Sequence, residues 1–364
     1  MIPYIILYFS STLLSFYTYL KERTNAIPFL LFILAVGIFA GSRLNLGGYD
    51  YDVYELMYNN TNSNFSDVIS PDYFLLQTTE KGYVFLMSIF RFLNTDFNTF
   101  FIFLGLFCTL GLFFVFRQYS KFPYLILTIF LAKGYLYYFF TAQRQILAMV
   151  VCWIALKAAI ERKLIPFLLL IVLASFFHTS ALAFVIVYPI ITLKLTNKKV
   201  IILLAGAILI GVFKIGILLG TVISGYLPFG ADKLTGYLEG ETTGVNILNF
   251  IEMIPILFII LHFRKKLEGK VSHFNALFNI YLVFVLITFA FYDFVFIARL
   301  KGYFLIGYIV ILSTLCYIPQ VKRIGIGIVF LLLCYCFAVY VRELLTFDDG
   351  EGYLPYRSYL FNNY

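Results

Sequence analysis

The sequence predicts an all-α polytopic membrane protein of about 12 transmembrane helices (range roughly 10–14), with one further helix near residues 82–93 that is interfacial or re-entrant. Three observations predict it. Hydrophobic residues make up 62% of the 364, against roughly 45–50% in soluble proteins. Charged residues are 13%, about half the usual share. Apolar runs recur at about the 20-residue length that crosses a bilayer. Twelve such spans take roughly 240 residues and leave about a third of the chain for loops. No hydrophilic stretch is long enough for a separate soluble domain, so residues 1–364 are expected to form a single integral membrane domain.

The apolar runs fall at residues 2–20, 26–42, 97–116, 122–139, 146–160, 164–177, 180–193, 199–220, 247–263, 274–293, 300–319 and 324–342. The first lacks a basic leader and a small-residue cleavage site, and reads as an uncleaved span. Between the runs lie compact basic clusters: Lys21/Arg23, Arg117/Lys121, Arg162/Lys163, Lys194/Lys198/Lys199, Arg264/Lys265/Lys266/Lys270 and Lys322/Arg323. They hold 15 of the 27 basic residues beside only Glu22, Glu161 and Glu268. Placing all six in the cytoplasm satisfies the positive-inside rule and puts both termini outside. The net charge of +8 is therefore topogenic, and no nucleic-acid partner is expected.

The run at 82–93 is about 12 residues and too short to cross. Counting it as a span would turn every later basic cluster outward, hence the interfacial or re-entrant reading. The short runs 164–177 and 180–193 meet at Phe177-His178-Thr179-Ser180, a tight outer hairpin, with one long tilted helix as the competing possibility. Outward pieces then remain at about 43–81, 221–245 and 346–364. Cys108, Cys152, Cys316, Cys334 and Cys336 lie in apolar runs as small hydrophobes, and no Cys-x-x-Cys pair exists, so no metal or disulfide framework is expected.

Ionisable groups at membrane depth usually mark a polar cavity, and here they collect at the outer boundary. Arg43 ends the second run, Arg144 opens the fifth within Thr141-Ala142-Gln143-Arg144-Gln145, and His178 sits at the hairpin. Asp293 and Arg299 flank the junction of the tenth and eleventh. Separate interfacial snorkelling is the alternative for each alone, and internal pairing of Arg43 with Asp50 and of Arg299 with Asp293 is the alternative for the arginines. Together, Arg43, Arg144 and Arg299 suit a polyanion, because the guanidinium fork matches phosphate oxygens.

After Arg43 the chain reads Leu44-Asn45-Leu46-Gly47-Gly48-Tyr49-Asp50-Tyr51-Asp52. Tyr49, Tyr51 and Asp52 suit carbohydrate, since aromatic faces stack on sugar C–H surfaces and carboxylates bind hydroxyls; an interfacial aromatic belt is the competing reading. Asp50-Tyr51-Asp52 also has a short D-x-D spacing. Glu80 either complements the dipole of the helix that follows or acts as a buried general base.

The order of these pieces resembles the EpsG/Wzy type of bacterial polysaccharide repeat-unit polymerases. The resemblance is carried by Arg43 with Gly48-Tyr49-Asp50-Tyr51, by Glu80-Lys81-Gly82-Tyr83, by Arg144-Gln145-Ile146-Leu147-Ala148 and by Phe177-His178-Thr179-Ser180-Ala181-Leu182. Arg299-Leu300-Lys301-Gly302-Tyr303-Phe304 and Leu354-Pro355-Tyr356-Arg357-Ser358-Tyr359 complete it. The resemblance implies a GT-C-like, metal- and cofactor-independent glycosyltransferase of O-antigen or exopolysaccharide synthesis. It would sit in the bacterial inner membrane with its active site facing the periplasm or cell exterior. The implied partners are undecaprenyl-pyrophosphate-linked oligosaccharides, and a chain-length regulator and flippase of the same pathway.

On that reading Arg144, Arg299 and Arg43 hold the pyrophosphate, and Gln145 and Asp293 join Tyr49, Tyr51 and Asp52 in positioning sugar. The candidate bases are Asp50, Glu80 and His178. A carboxylate is preferred, since a histidine beside arginines can instead donate to phosphate or sugar. A flippase of lipid-linked saccharides would use the same arginines without chemistry, but the polar groups favour one face and no internal repeat is visible. An acyltransferase would use the histidine and leave the arginines unexplained.

Overall fold

A computed structural model describes residues 1–64, 70, 79–224, 247–292, 295–346 and 352–361. Among these, all regular structure is helical apart from one isolated bridge between Arg43 and Ser358. The chain divides into two compact units: Met1–Ala158, Lys163–Leu182 and Pro319–Tyr364 in the first, Ala159–Arg162 and Ala183–Ile318 in the second.

The first unit contains α1 (Ile2–Lys21), α2 (Ala26–Gly41), α3 (Tyr49–Asn60), α4 (Lys81–Phe92), α5 (Phe97–Tyr119), α6 (Pro123–Phe130), α7 (Gln143–Ile160) and α8 (Leu164–Ser175). After α6 the chain continues as π-helix over Leu131–Tyr135 and Tyr137–Thr141. In the second unit lie α9 (Val187–Ile190), α10 (Asn197–Val212), α11 (Ile215–Ser224), α12 (Ile247–Glu268), α13 (Phe274–Ala290) and α14 (Val295–Ser313). The chain then returns to the first unit as α15 (Lys322–Thr346).

Four described helices are long and apolar enough to cross a membrane: Phe97–Tyr119, Gln143–Ile160, Arg299–Tyr317 and Lys322–Thr346. Shorter apolar helices include Ala26–Gly41 and Phe274–Ala290. The amphipathicity of α1 is inverted relative to a soluble helix. It exposes Ile2, Ile6, Phe9 and Leu13 and buries Tyr4, Tyr8, Ser11 and Ser15. The Ser11 and Ser15 hydroxyls meet Thr128 on α6 at 2.6 and 2.8 Å. Apolar outside and hydrogen-bonded polar inside is the arrangement for which lipid is the solvent, and the protein is a multi-pass membrane protein.

Close helix contact in the first unit comes from small residues. Gly37 and Gly41 on α2 face α5, where a Cβ on Gly37 would lie 2.6 Å from the Gly105 carbonyl oxygen and one on Gly41 2.5 Å from the Ile102 Cα. Gly37-x-x-x-Gly41 is the small-x-x-x-small pattern that lets backbones touch where no hydrophobic effect drives association. In the second unit Gly307 of α14 plays the same part, with its Cβ position 2.4 Å from the Tyr281 nitrogen of α13.

Several basic clusters in the first unit meet at one end. Lys322 Nζ donates to the Leu20 carbonyl and the Glu22 carboxylate, and Thr24 donates to the Lys121 carbonyl. At the other end of α1, Tyr4 donates to the Tyr353 carbonyl at 2.6 Å. The 20 residues of α1 measure about 30 Å, one hydrocarbon thickness.

The run at 82–93 forms α4, 12 residues or about 18 Å long. It buries Tyr83, Val84, Met87 and Ser88 and leaves Phe85 and Phe92 exposed, and its length falls short of the ~30 Å hydrocarbon core. Arg162 donates to the Tyr188 carbonyl at 2.6 Å, and Tyr188 donates back to the Arg162 carbonyl at 3.0 Å. A straight helix would separate them by about 39 Å, so the chain reverses between them, as the hairpin reading expects.

Candidate active site

Glu80 is the point on which three segments of the first unit converge. Its Oε2 accepts from Arg144 at 2.5 Å, and its Oε1 pairs with His178 Nδ1 at 2.7 Å and accepts from the Thr179 amide at 3.3 Å. The Glu80 side chain is 14% exposed, and those of Arg144 and His178 are each 30% exposed. The trio is shielded yet reachable.

Each residue is held by an element boundary. Glu80 precedes the first turn of α4, with extended backbone at φ −60° and ψ 126°. The next turn sits against the hairpin: the Gly82 amide donates to the Phe176 carbonyl at 2.9 Å. A Cβ on Gly82 would lie 2.8 Å from that oxygen, so glycine is what permits the approach. His178 follows the end of α8, its amide bonded to the Ala174 carbonyl at 3.0 Å. Arg144 lies in the first turn of α7, just after the break at Ala142 (φ −99°, ψ 56°).

Burial works to raise the Glu80 carboxyl pKa, but the His178 hydrogen bond and the charges of Arg144 and His178 draw it down to about 2. An ionised carboxylate only accepts. The proton in the Glu80–His178 bond therefore sits on Nδ1, and Nε2 is the ring nitrogen that Glu80 does not engage. Arg144 lies 5.8 Å from the Tyr54 ring centre, and its buried Nε–H has no hydrogen-bond partner among the described residues.

Arg43 is fully buried. Its Nε donates to Leu46 O at 2.9 Å, and its two terminal nitrogens donate to Ala40 O at 2.8 Å and Phe140 O at 3.0 Å. With its amide oxygen turned inward, Gln143 also stands 3.0 Å from both terminal nitrogens. The guanidinium packs over Phe101 and Phe140 at 4.7 and 5.0 Å. Ala40 and Phe140 lie at the C-terminal ends of α2 and the π-helical segment, where carbonyls lack helical partners and the dipole is negative. Arg43 thus joins two helix ends and the following loop, with its guanidinium closed off from outside.

The tail completes that junction. Leu44 and Gly47 amides donate to the Arg357 and Gly352 carbonyls at 3.1 and 2.8 Å, and the Tyr359 amide donates to Ser42 O at 2.8 Å. Tyr356 stacks on Phe39 at 4.1 Å and 9°.

The other expected site residues divide. Tyr51 is buried on α3 with its ring centre 5.7 Å from the Arg43 guanidinium carbon. Asp50 and Asp52 occupy the exposed first turn of α3, where they complement its dipole. Gln145 is buried on α7. Arg299 is exposed on α14 in the second unit. Asp293 and the Tyr49 side chain lie outside the described residues, as does most of the 221–245 loop. The structure thus brings Glu80, Arg144 and His178 together and joins Arg43 to Tyr51 beside them.

Sequence reasoning missed Tyr54 and Gln143. The first was legible in the three- and four-residue spacing of Tyr51, Tyr54 and Tyr58, all buried on one face of α3. Nothing in the sequence distinguishes Gln143 from Gln145. In the second unit Glu252 on α12, also missed, accepts from Tyr308 on α14.

Among known proteins, the sequence model of the EpsG family matches residues 26–358. No curated relative and no solved structure matches the chain.

Proposed function

The chain belongs to the EpsG family, and from that premise we propose that it polymerises lipid-linked polysaccharide repeat units at the outer face of the bacterial inner membrane. Family membership supports polysaccharide synthesis in general. The observation that carries the finer reading is the Glu80 carboxylate bound at once to Arg144 and His178 in a chain with so few charges.

The reaction moves the growing glycan from undecaprenyl pyrophosphate to a hydroxyl on the non-reducing-end sugar of a fresh lipid-linked repeat unit. The anomeric carbon–oxygen bond to pyrophosphate breaks, a glycosidic bond to the hydroxyl oxygen forms, and undecaprenyl pyrophosphate leaves. His178 Nε2 takes the hydroxyl proton as general base. Glu80 is a positioning residue: it fixes the Nδ1–H tautomer and stabilises the imidazolium, as a carboxylate does beside a catalytic histidine. On this reading Glu80, its carboxyl held near 2 beside Arg144 and His178, is the weaker base, in place of the carboxylate base that the sequence alone favours.

Arg144 takes the pyrophosphate, where fixed positive charge meets the charge developing on the bridging oxygen, and Arg299 keeps the pyrophosphate role that its motif implies by resemblance. Arg43 supports the site by holding the loop that carries α3. Two features support the outward placement: the tail junction lies at the opposite end of α1 from the basic clusters of the first unit, and such clusters stay in the cytoplasm.

The test is lipid-to-lipid transfer by the purified protein in detergent, with lipid-linked repeat units and no membrane gradient. A ladder of glycans is expected, since a flippase makes none. Normal ladders from both Arg144→Ala and Arg299→Ala would remove the pyrophosphate assignment.

A further inference from the structure

The segment 352–359 and the loop 42–47 are bonded at both ends, by the Gly47–Gly352 and Tyr359–Ser42 hydrogen bonds. Between them and the start of α3 lies a pocket of about 240 Å³. Asn45, Gly48, Tyr51, Asp52, Pro355 and Arg357 line it. Its lining carries one carboxylate and one guanidinium, both on exposed residues.

That volume, about eight waters at roughly 30 Å³ each, is on the scale of one monosaccharide ring. A pocket for an anion would carry net positive charge. Here the opposite charges balance, and they match a ligand whose groups both donate and accept. The hydroxyls of a neutral sugar do so: they donate to Asp52 and accept from Arg357, while Tyr51 and Pro355 offer apolar surface to its C–H face.

The pocket is also aligned with the chemistry. Tyr51 lines it, and Tyr54, three residues or about 4.5 Å further along α3, lies against Arg144.

We propose that this pocket, closed by the tail, is a subsite for one neutral pyranose residue of the saccharide substrate, with Asp52 and Arg357 as its specificity-determining pair. The subsite rests on the polymerase reading for its place in the reaction, but not for its ligand. Arg357 thereby gains a role that its place in a distant tail motif does not suggest.

The test uses the full-length protein in detergent with two probes. The first is the single-repeat oligosaccharide released from its lipid by mild acid, titrated by NMR. The second is the intact lipid-linked repeat unit, assayed for polymerisation. Asp52→Asn and Arg357→Gln are each expected to weaken oligosaccharide binding about tenfold, the scale of one charge-assisted hydrogen bond. The larger part of their loss in polymerisation should fall on KM, and Asp52→Glu should recover part of it. Matching thermal melts establish that the variants fold.

Unchanged oligosaccharide binding in both variants overturns the subsite, whatever the polymerisation result. Wild-type binding that the variants lose, without any ladder from the wild type, overturns the polymerase reading and leaves the subsite standing.

Discussion

Glu80 Oε1 and His178 Nδ1 are 2.7 Å apart although 98 residues of chain separate them. The pair forms because Gly82 lets α4 touch the Phe176 carbonyl, and the ionised carboxylate then dictates which imidazole nitrogen is protonated. Glu80→Gln should therefore keep the fold and remove the tautomer control. Polymer formation is expected to fall about 10²–10⁴-fold, read as single-turnover transfer between lipid-linked units. Wild-type rates from Glu80→Gln would show that the carboxylate does not position the base.

The stability of the same group follows pH with a definite sign. The folded pKa of Glu80 is depressed from 4.5 to about 2, so the folded state binds fewer protons than the unfolded state between those values. Its contribution is full above about pH 4.5 and is lost as pH falls toward 2. The melting-temperature difference between wild type and Glu80→Gln in detergent should be constant above about pH 5 and narrow below pH 4. A difference that widens on acidification would contradict the depressed pKa.

Arg144→Lys retains the charge and removes the planar fork. Loss of transfer of about 10²–10³-fold is expected, with little change in membrane insertion or melting. A variant as active as wild type would mean that charge alone suffices at this position.

Arg43 predicts the opposite partition. Arg43→Leu leaves the carbonyls of Ala40, Leu46 and Phe140 without this donor in a dry interior, at about 1–3 kcal/mol for each one left unpaired. The measurable result is a strongly lowered melting temperature and faster proteolysis of the tail, with activity falling in proportion to folded protein. A variant that melts like wild type yet makes no polymer would assign Arg43 to the substrate instead.

At the crossing of α2 and α5, Gly41→Val puts side-chain atoms where the Ile102 Cα stands. Overpacking of this kind costs about 1–3 kcal/mol and should appear as reduced detergent stability. Gly206, with nothing near its Cβ position, is the control: Gly206→Ala should be neutral or slightly stabilising.

The apolar helices, the short one at 82–93 among them, were legible because hydropathy and run length are written locally, residue by residue. Glu80, Arg144 and His178 could be singled out for a related reason: an ionisable group in so apolar a chain needs an explanation wherever it occurs. Sequence could not sort them into roles. Arg43 and Arg144 both stand at the ends of apolar runs, yet only tertiary structure sends one guanidinium to the carbonyls of two helix ends and leaves the other beside a carboxylate and a histidine. Neither could it join the tail to the loop after α2, since residues more than 300 positions apart meet only when helices of fixed length bring their ends to one level. Local chemistry determined which segments form apolar helices, and packing decided which side chains face one another.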